Sequence, residues 1–342
     1  MNTSRLGLLV VLLGAAGSAL GHHSFRTAYD STRSTEITGV VAEYVLKSPH
    51  SLILLDVTNE DGGVERFEVE MAALAMLRRQ GFDEDTFEPG DEITVIAWPH
   101  RASNTLVFSR GFITQDGTAP GENATPGDTK SAAREAPGIA KVAGRWLAPF
   151  SRAGSETPLP LTPAGLTARE NYDPQRSPAN ICEPTNIPAV FYTPYLFDIR
   201  ITDQQAVIRH EAYNVTRTVP LDSEPRRAEP SGVFGMVAGR IEGGELVIES
   251  SGYAESDWGL GIAAGPNGVG ADVPSSSQKK VIERYSVSSD GGTLTVGYTL
   301  EDPVYLTEPY SSHIEFTWVP DDEPMHEYDC ELDSAARFSR GL

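Results

Sequence analysis

Two adjacent histidines, His22 and His23, and a third, His50, are the residues whose types and spacing point most directly to chemistry. A histidine at a chain terminus offers a metal two nitrogens, its α-amine and its ring. A second imidazole completes a three-nitrogen set, and copper(II) takes such tetragonal nitrogen sites most strongly among the divalent first-row metals. The α-amine has a reference pKa near ~8, so its proton is displaced at little cost at neutral pH. Whether His22 is terminal depends on the residues before it. Arg5, the apolar run Leu6 to Ala16 and the small residues from Gly17 to Gly21 read as a secretory signal. The apolar run is shorter than the roughly 20 residues a membrane span needs. Cleavage after Gly21 makes His22 the first residue. Cleavage after Leu20 makes His23 the third, where amine, two amides and imidazole chelate copper or nickel in a plane, and cleavage after Ala19 leaves Leu20 in front. The opposing reading is that the pair is solvated or bonded to a barrel wall, with His50, after Pro49, a turn residue packed on Phe25.

A second constellation lies further on: Glu211, Arg217, Arg240, Asp257, Trp258 and Glu283. Opposite charges turned into a barrel would orient a small polar ligand. Strand alternation puts His210 and Glu211 on opposite faces, so one of them looks inward. Two other readings compete. An enzyme would use Glu211 or Glu283 as acid–base residue with arginines holding a small exported metabolite, and a structural or assembly module would carry these charges as an ion-pair network. No Gly-x-Ser-x-Gly elbow, His-Glu-x-x-His, phosphate loop or dinucleotide fingerprint occurs, so the binding reading is preferred.

The charge balance narrows the partners. The chain carries 27 basic and 48 acidic side chains, net −21, and loss of Arg5 with the leader makes the mature protein more acidic still. Such a surface repels phosphate backbones and anionic lipid. A metal ion or small molecule is therefore expected, with no nucleic acid partner and no membrane span, and no feature names a protein partner. The compartment, periplasmic or secreted, permits oxidation, and Cys182 and Cys330 are expected to form a disulfide joining the ends of the second domain. A thiolate metal site would need further ligands at short spacing.

The elements that must position these residues follow from periodicity. Strands are expected over Glu36 to Leu46, Ser51 to Thr58 and Glu65 to Met71, then a helix over Ala72 to Gln80 stopped by Gly81, then strands over Glu92 to Trp98 and Thr105 to Thr114. That order is the one of an OB-like five-stranded barrel with one helix. Residues 118–144 lose periodicity and read as a flexible linker. Eight strands follow: Phe197 to Arg200, Ala206 to Tyr213, Thr216 to Leu221, Phe234 to Ile241, Glu245 to Ser250, Lys280 to Ser288, Thr293 to Thr299 and Ser312 to Trp318. Tight turns at Glu242-Gly243-Gly244 and Asp290-Gly291-Gly292 favour an antiparallel lipocalin-like β-barrel.

The stretches His22-His23-Ser24-Phe25, Pro49-His50, Phe67-Glu68, Leu77-Arg78-Arg79 and Glu88-Pro89-Gly90-Asp91 resemble a family of secreted bacterial proteins of unknown function. Its mature chains begin His-His-Ser-Phe and carry Asn-Pro-His further on; Ser48 stands here in place of the Asn. The second domain is similar to an uncharacterised β-rich module, through Cys182-Glu183-Pro184, Ser251-Gly252-Tyr253, Glu283-Arg284-Tyr285 and Glu327-Tyr328-Asp329-Cys330, with Ser275-Ser276-Ser277 where that module tends to have Pro-His-Ser. The resemblance implies motif positions and no activity. The expectation is thus a mainly β, exported binding protein, more a binder than an enzyme: signal 1–21, OB-like domain 22–117, linker 118–144 and β-barrel 145–342, with copper the expected metal at His22, His23 and His50.

Overall fold

The computed structural model describes residues 28–121, 138–148, 158–173, 178–184, 186–221, 234–257, 260 and 273–337. The fold is mainly β, in two units. The first is a closed barrel of β1 (Thr35–Val45), β2 (Leu52–Thr58), β3 (Val64–Glu70), β4 (Glu92–Pro99) and β5 (Leu106–Thr114), ordered β1-β2-β3-β5-β4. Alternation drives it: Ile37 and Val41, Ile53 and Leu55, and Ile93 and Val95 point inward and pack with Phe87 and Phe112. Two ladders close the ring, antiparallel β1 with β4 and parallel β3 with β5. Helix α1 (Leu74–Arg79) lies between β3 and β4. Gly81, at φ +84°, ends it, and the Phe82 N–H reaches back to the Leu77 carbonyl, which satisfies the last turn and drops Phe82 into the core.

The second unit is one antiparallel sheet of nine strands: β6 (Gly144–Leu147), β7 (Leu196–Ile201), β8 (Gln205–His210), β9 (Thr216–Pro220), β10 (Met236–Glu242), β11 (Glu245–Ser251), β12 (Lys280–Val287), β13 (Thr293–Glu301) and β14 (Tyr310–Val319). Its order is β10-β11-β12-β13-β14-β6-β7-β8-β9, two meanders joined where β14 pairs with β6. The sheet curls around one core that includes Trp146, Phe197, Tyr285 and Phe316. Its edge strands meet where Gly239 of β10 faces Val219 and Leu221; a Cβ on Gly239 would lie 2.6 Å from Val219 Cγ1. The lipocalin-like reading thus resolves to a large antiparallel sheet, and all eight expected strands are present. The ninth, β6, begins where the linker was expected to end. Residues 118–121 still pack on the barrel, Gly121 against Phe82, and residues 122–137 lie outside the described ones.

Helix α2 (Pro163–Glu170) is capped by the Thr162 hydroxyl, which accepts from Gly165 N at 3.1 Å. The short C-terminal helix α3 (Leu332–Arg337) follows a segment that meets the first unit, where Arg79 reaches the Pro324 carbonyl and Glu331 N donates to the Ser48 carbonyl. Cys182 and Cys330 are joined, as expected. No helix among the described residues is long and apolar enough to cross a membrane.

Candidate functional site

At one end of the barrel β3 finishes on Glu70, a carboxylate with no solvent exposure. Tyr29, just ahead of β1, donates its hydroxyl to Glu70 Oε2 at 2.5 Å. His50, in the loop between β1 and β2, places Nδ1 2.9 Å from Glu70 Oε1. His100, just past β4, pairs by its backbone with Tyr29, and the two rings meet edge to face at 5.2 Å. Burial by itself would raise the Glu70 pKa. The charge of His50, the hydrogen bond from Tyr29 and the charge of Arg337 outweigh it, and the carboxyl sits below its ordinary value. Burial first, and Glu70 second, push the Tyr29 phenol far above its usual range. Burial lowers the pKa of His100 against the pull of Glu70.

This geometry assigns tautomers. The Glu70 carboxylate, 2.9 Å from His50 Nδ1, favours a proton on that nitrogen by its charge, although the two atoms are not aligned as a hydrogen bond, so a neutral His50 ring carries its lone pair on Nε2. The side chain is 24% exposed, so a buried carboxylate orients an accessible imidazole, the arrangement that fixes metal-ligating histidines. His100 is the reverse case. Its Nδ1 accepts from Ala102 N at 3.1 Å, which leaves a proton on Nε2, and that atom has no hydrogen-bond partner among the described residues. His50 can serve as a ligand through Nε2; His100 offers that end of the barrel a donor.

His22 and His23 lie outside the described residues. The five residues from His23 to Ala28 reach at most roughly 18 Å in extended chain, and Ala28 adjoins Tyr29 in the site. Among the described residues no three His, Cys, Asp or Glu side chains are placed to hold a metal. A metal bound through His50 therefore takes its other ligands from elsewhere.

The second constellation divides. Arg217 of β9 and Glu283 of β12 face each other inside the sheet in a two-pronged pair, 2.8 and 2.7 Å, with neither side chain more than 2% exposed. Tyr285 donates to Glu283 Oε2 at 2.7 Å. Burial alone would lower the Arg217 pKa, but the Glu283 carboxylate holds it above the ordinary value. Beside them His210 lies edge-on to Phe197 at 4.2 Å and stacked on Phe234 at 5.8 Å. Neither of its ring nitrogens has a hydrogen-bond partner among the described residues, and burial, then the charge of Arg217, lower its pKa to about 3. Arg240 is elsewhere, on the outer face with Glu249 and Glu242. Asp257 is exposed, and Trp258 lies outside the described residues.

Glu211 is a correction to the alternation argument. It is buried together with His210, because β8 stops at His210 and the chain turns through Tyr213 and Asn214 at positive φ. Its carboxylate leaves the sheet interior and joins the two units: Oε1 accepts from Arg79 of α1 at 2.6 Å and from His326 N at 2.7 Å, and Oε2 from Leu196 N at 3.1 Å. A half-open cavity of about 340 Å³ opens beside it, lined by Arg209, Asn214, Met325 and His326 among others. Sequence reasoning missed Tyr29 and Glu70. Glu70 stands between Val69 and Met71, which alternation turns inward, so the pattern assigns it to solvent.

Residues 10–108 match a family of unknown function (DUF6152), a span that contains His22, His23, Tyr29, His50, Glu70 and His100. No curated protein matches the chain.

Proposed function

We propose that this is an exported, periplasmic or secreted, metal-binding protein in which His50 is an anchored ligand and His22 and His23 supply the remaining nitrogens, with copper(II) the metal. The observation that carries the reading is the contact between His50 Nδ1 and the buried Glu70, 2.9 Å, on a side chain that keeps 24% of its surface exposed; the carboxylate's charge favours a proton on Nδ1 and so leaves Nε2 as the ligating atom of a neutral ring. Copper is favoured over zinc by the terminal amine. We read the second unit as a lipocalin-like barrel in shape and as a support in role. Arg217 and Glu283 neutralise each other there, which favours a supporting role for that interior over a ligand pocket or an acid–base site.

The test is native mass spectrometry of the exported protein, which gives the N-terminus and any bound metal together, followed by copper(II) titration. Wild type is expected to bind one copper, with binding weakened at least tenfold by His50→Ala and by removal of His22 and His23. Equal uptake by all three proteins would sink the proposal.

A further inference from the structure

The loop that carries His50 is held from outside its own barrel. Ser334 of α3, 1% exposed, donates its hydroxyl to the His50 carbonyl at 2.7 Å and accepts from the His50 N–H at 3.1 Å. One side chain from the far end of the sequence thus satisfies both backbone polar groups of the residue that bears the imidazole. Its neighbours extend the clamp. Glu331 N donates to the Ser48 carbonyl at 3.0 Å, Ser48 forms a bridge with Cys330, and Lys47 Nζ meets Glu331 at 2.5 Å. Arg337 reaches Glu68 at 3.4 Å, on the strand that ends in Glu70. The Cys182–Cys330 disulfide ties the segment to the second unit. Within the barrel, the loop backbone has Leu74 N on the Lys47 carbonyl, and the Ser51 backbone on Met71 N and the Ala72 carbonyl. These flank His50 and leave its own peptide groups to Ser334.

We propose that Ser334 is a positioning residue of the histidine site, and that metal capture by the first barrel is set by docking of the C-terminal segment 330–337 of the second unit. This rests on the reading of His50 as a metal ligand. A ligand prepared for a metal must have its ring direction fixed, and that direction follows the backbone of the residue that bears it. Glu70 fixes the ring from one side and Ser334 fixes the backbone from the other. Loss of a partner that holds the ligating ring itself typically costs about 10–100-fold in metal affinity; Ser334 acts one step further out, through the backbone of His50, which places its effect at the lower end. Binding and docking are also reciprocal: if docking strengthens binding, bound metal must tighten docking by the same factor.

The experiment is chelator-competition titration of the mature protein with copper(II), on wild type, His50→Ala, Ser334→Ala and Ser334→Thr, with hydrogen exchange read by mass spectrometry on wild type before and after loading. Ser334→Ala is expected to weaken binding about tenfold, and Ser334→Thr, which keeps the hydroxyl, to stay near wild type. Loading is expected to slow exchange across residues 330–337, and this measurement needs no variant to fold. Wild-type affinity in Ser334→Ala, or exchange across 330–337 unchanged by copper, overturns the inference. If His50→Ala loses copper while Ser334→Ala keeps it, this inference falls alone. If wild type takes up no copper, the metal reading falls and takes this one with it.

Discussion

His210 makes the stability of the second unit depend on pH in a way one substitution can isolate. In the fold its ring sits between Phe197 and Phe234, with neither nitrogen hydrogen-bonded to a described residue, and its pKa falls from 6.5 to about 3, by burial first and then by the charge of Arg217. The unfolded chain binds a proton there below about pH 6.5 and the folded protein does not, so the neutral ring opposes folding increasingly as the medium becomes acidic. The stability concerned is complete above about pH 6.5 and is lost on going down toward pH 3, at about 1.4 kcal/mol per pH unit. At pH 5, roughly 1.5 units below the unfolded value, the loss is about 2 kcal/mol. His210→Leu removes the titrating group at similar volume. Urea unfolding followed by tryptophan fluorescence should find the variant at least as stable as wild type near pH 7.5, and ahead of it by a further ~2 kcal/mol near pH 5. Stability curves that run parallel from pH 7.5 to 5 would refute the reasoning, because they would mean that His210 takes up its proton inside the folded sheet.

Two further perturbations test the packing. Glu283→Gln leaves the Arg217 guanidinium buried without its counter-charge and should cost about 3–5 kcal/mol in urea unfolding, whereas Arg217→Met with Glu283→Leu should recover most of that loss. Gly239→Ala places a methyl 2.6 Å from Val219 Cγ1 at the meeting of the sheet edges and should cost about 1–3 kcal/mol, read as a lowered Tm; an unchanged Tm would show that β9 and β10 part there freely.

The strands were legible wherever alternation ran for five or more residues and a glycine turn closed the hairpin, as at Glu242-Gly243-Gly244. β6 was not. Its four residues, Gly144 to Leu147, are too few to show a period, and it is a strand because β14 and β7 flank it. The end of β8 was misread for a local reason: the apolar–polar rhythm continues through Tyr213, but Tyr213 and Asn214 adopt positive φ, and the turn carries Glu211 out to Arg79. Glu70 was hidden for a distant one. Its own strand marks it as outward, and the groups that meet its carboxylate, Tyr29 and His50, come from outside that strand, with the charge of Arg337, 267 residues downstream, acting on it as well. Parity along a strand tells which residues share a face, and only the rest of the chain decides whether that face meets solvent. The same limit explains why Arg217 and Glu283 came together while Arg240, equally charged, turned outward.

The pairing of β14 with β6 also sets an order in time. The first barrel draws its strands from residues 35–114 and needs no strand from the rest of the described chain to close. The central seam of the second sheet joins one of its earliest segments to one of its last, so the two meanders wait for residue 319 before they become one sheet, and contacts of such long sequence separation form slowly. Ser334 comes later still. By sequence separation the barrel that bears His50 is expected to form ahead of the sheet and to be finished only when Ser334 arrives, and a chain cut short before residue 330 would keep the barrel's own strands while lacking the part that steadies its histidine.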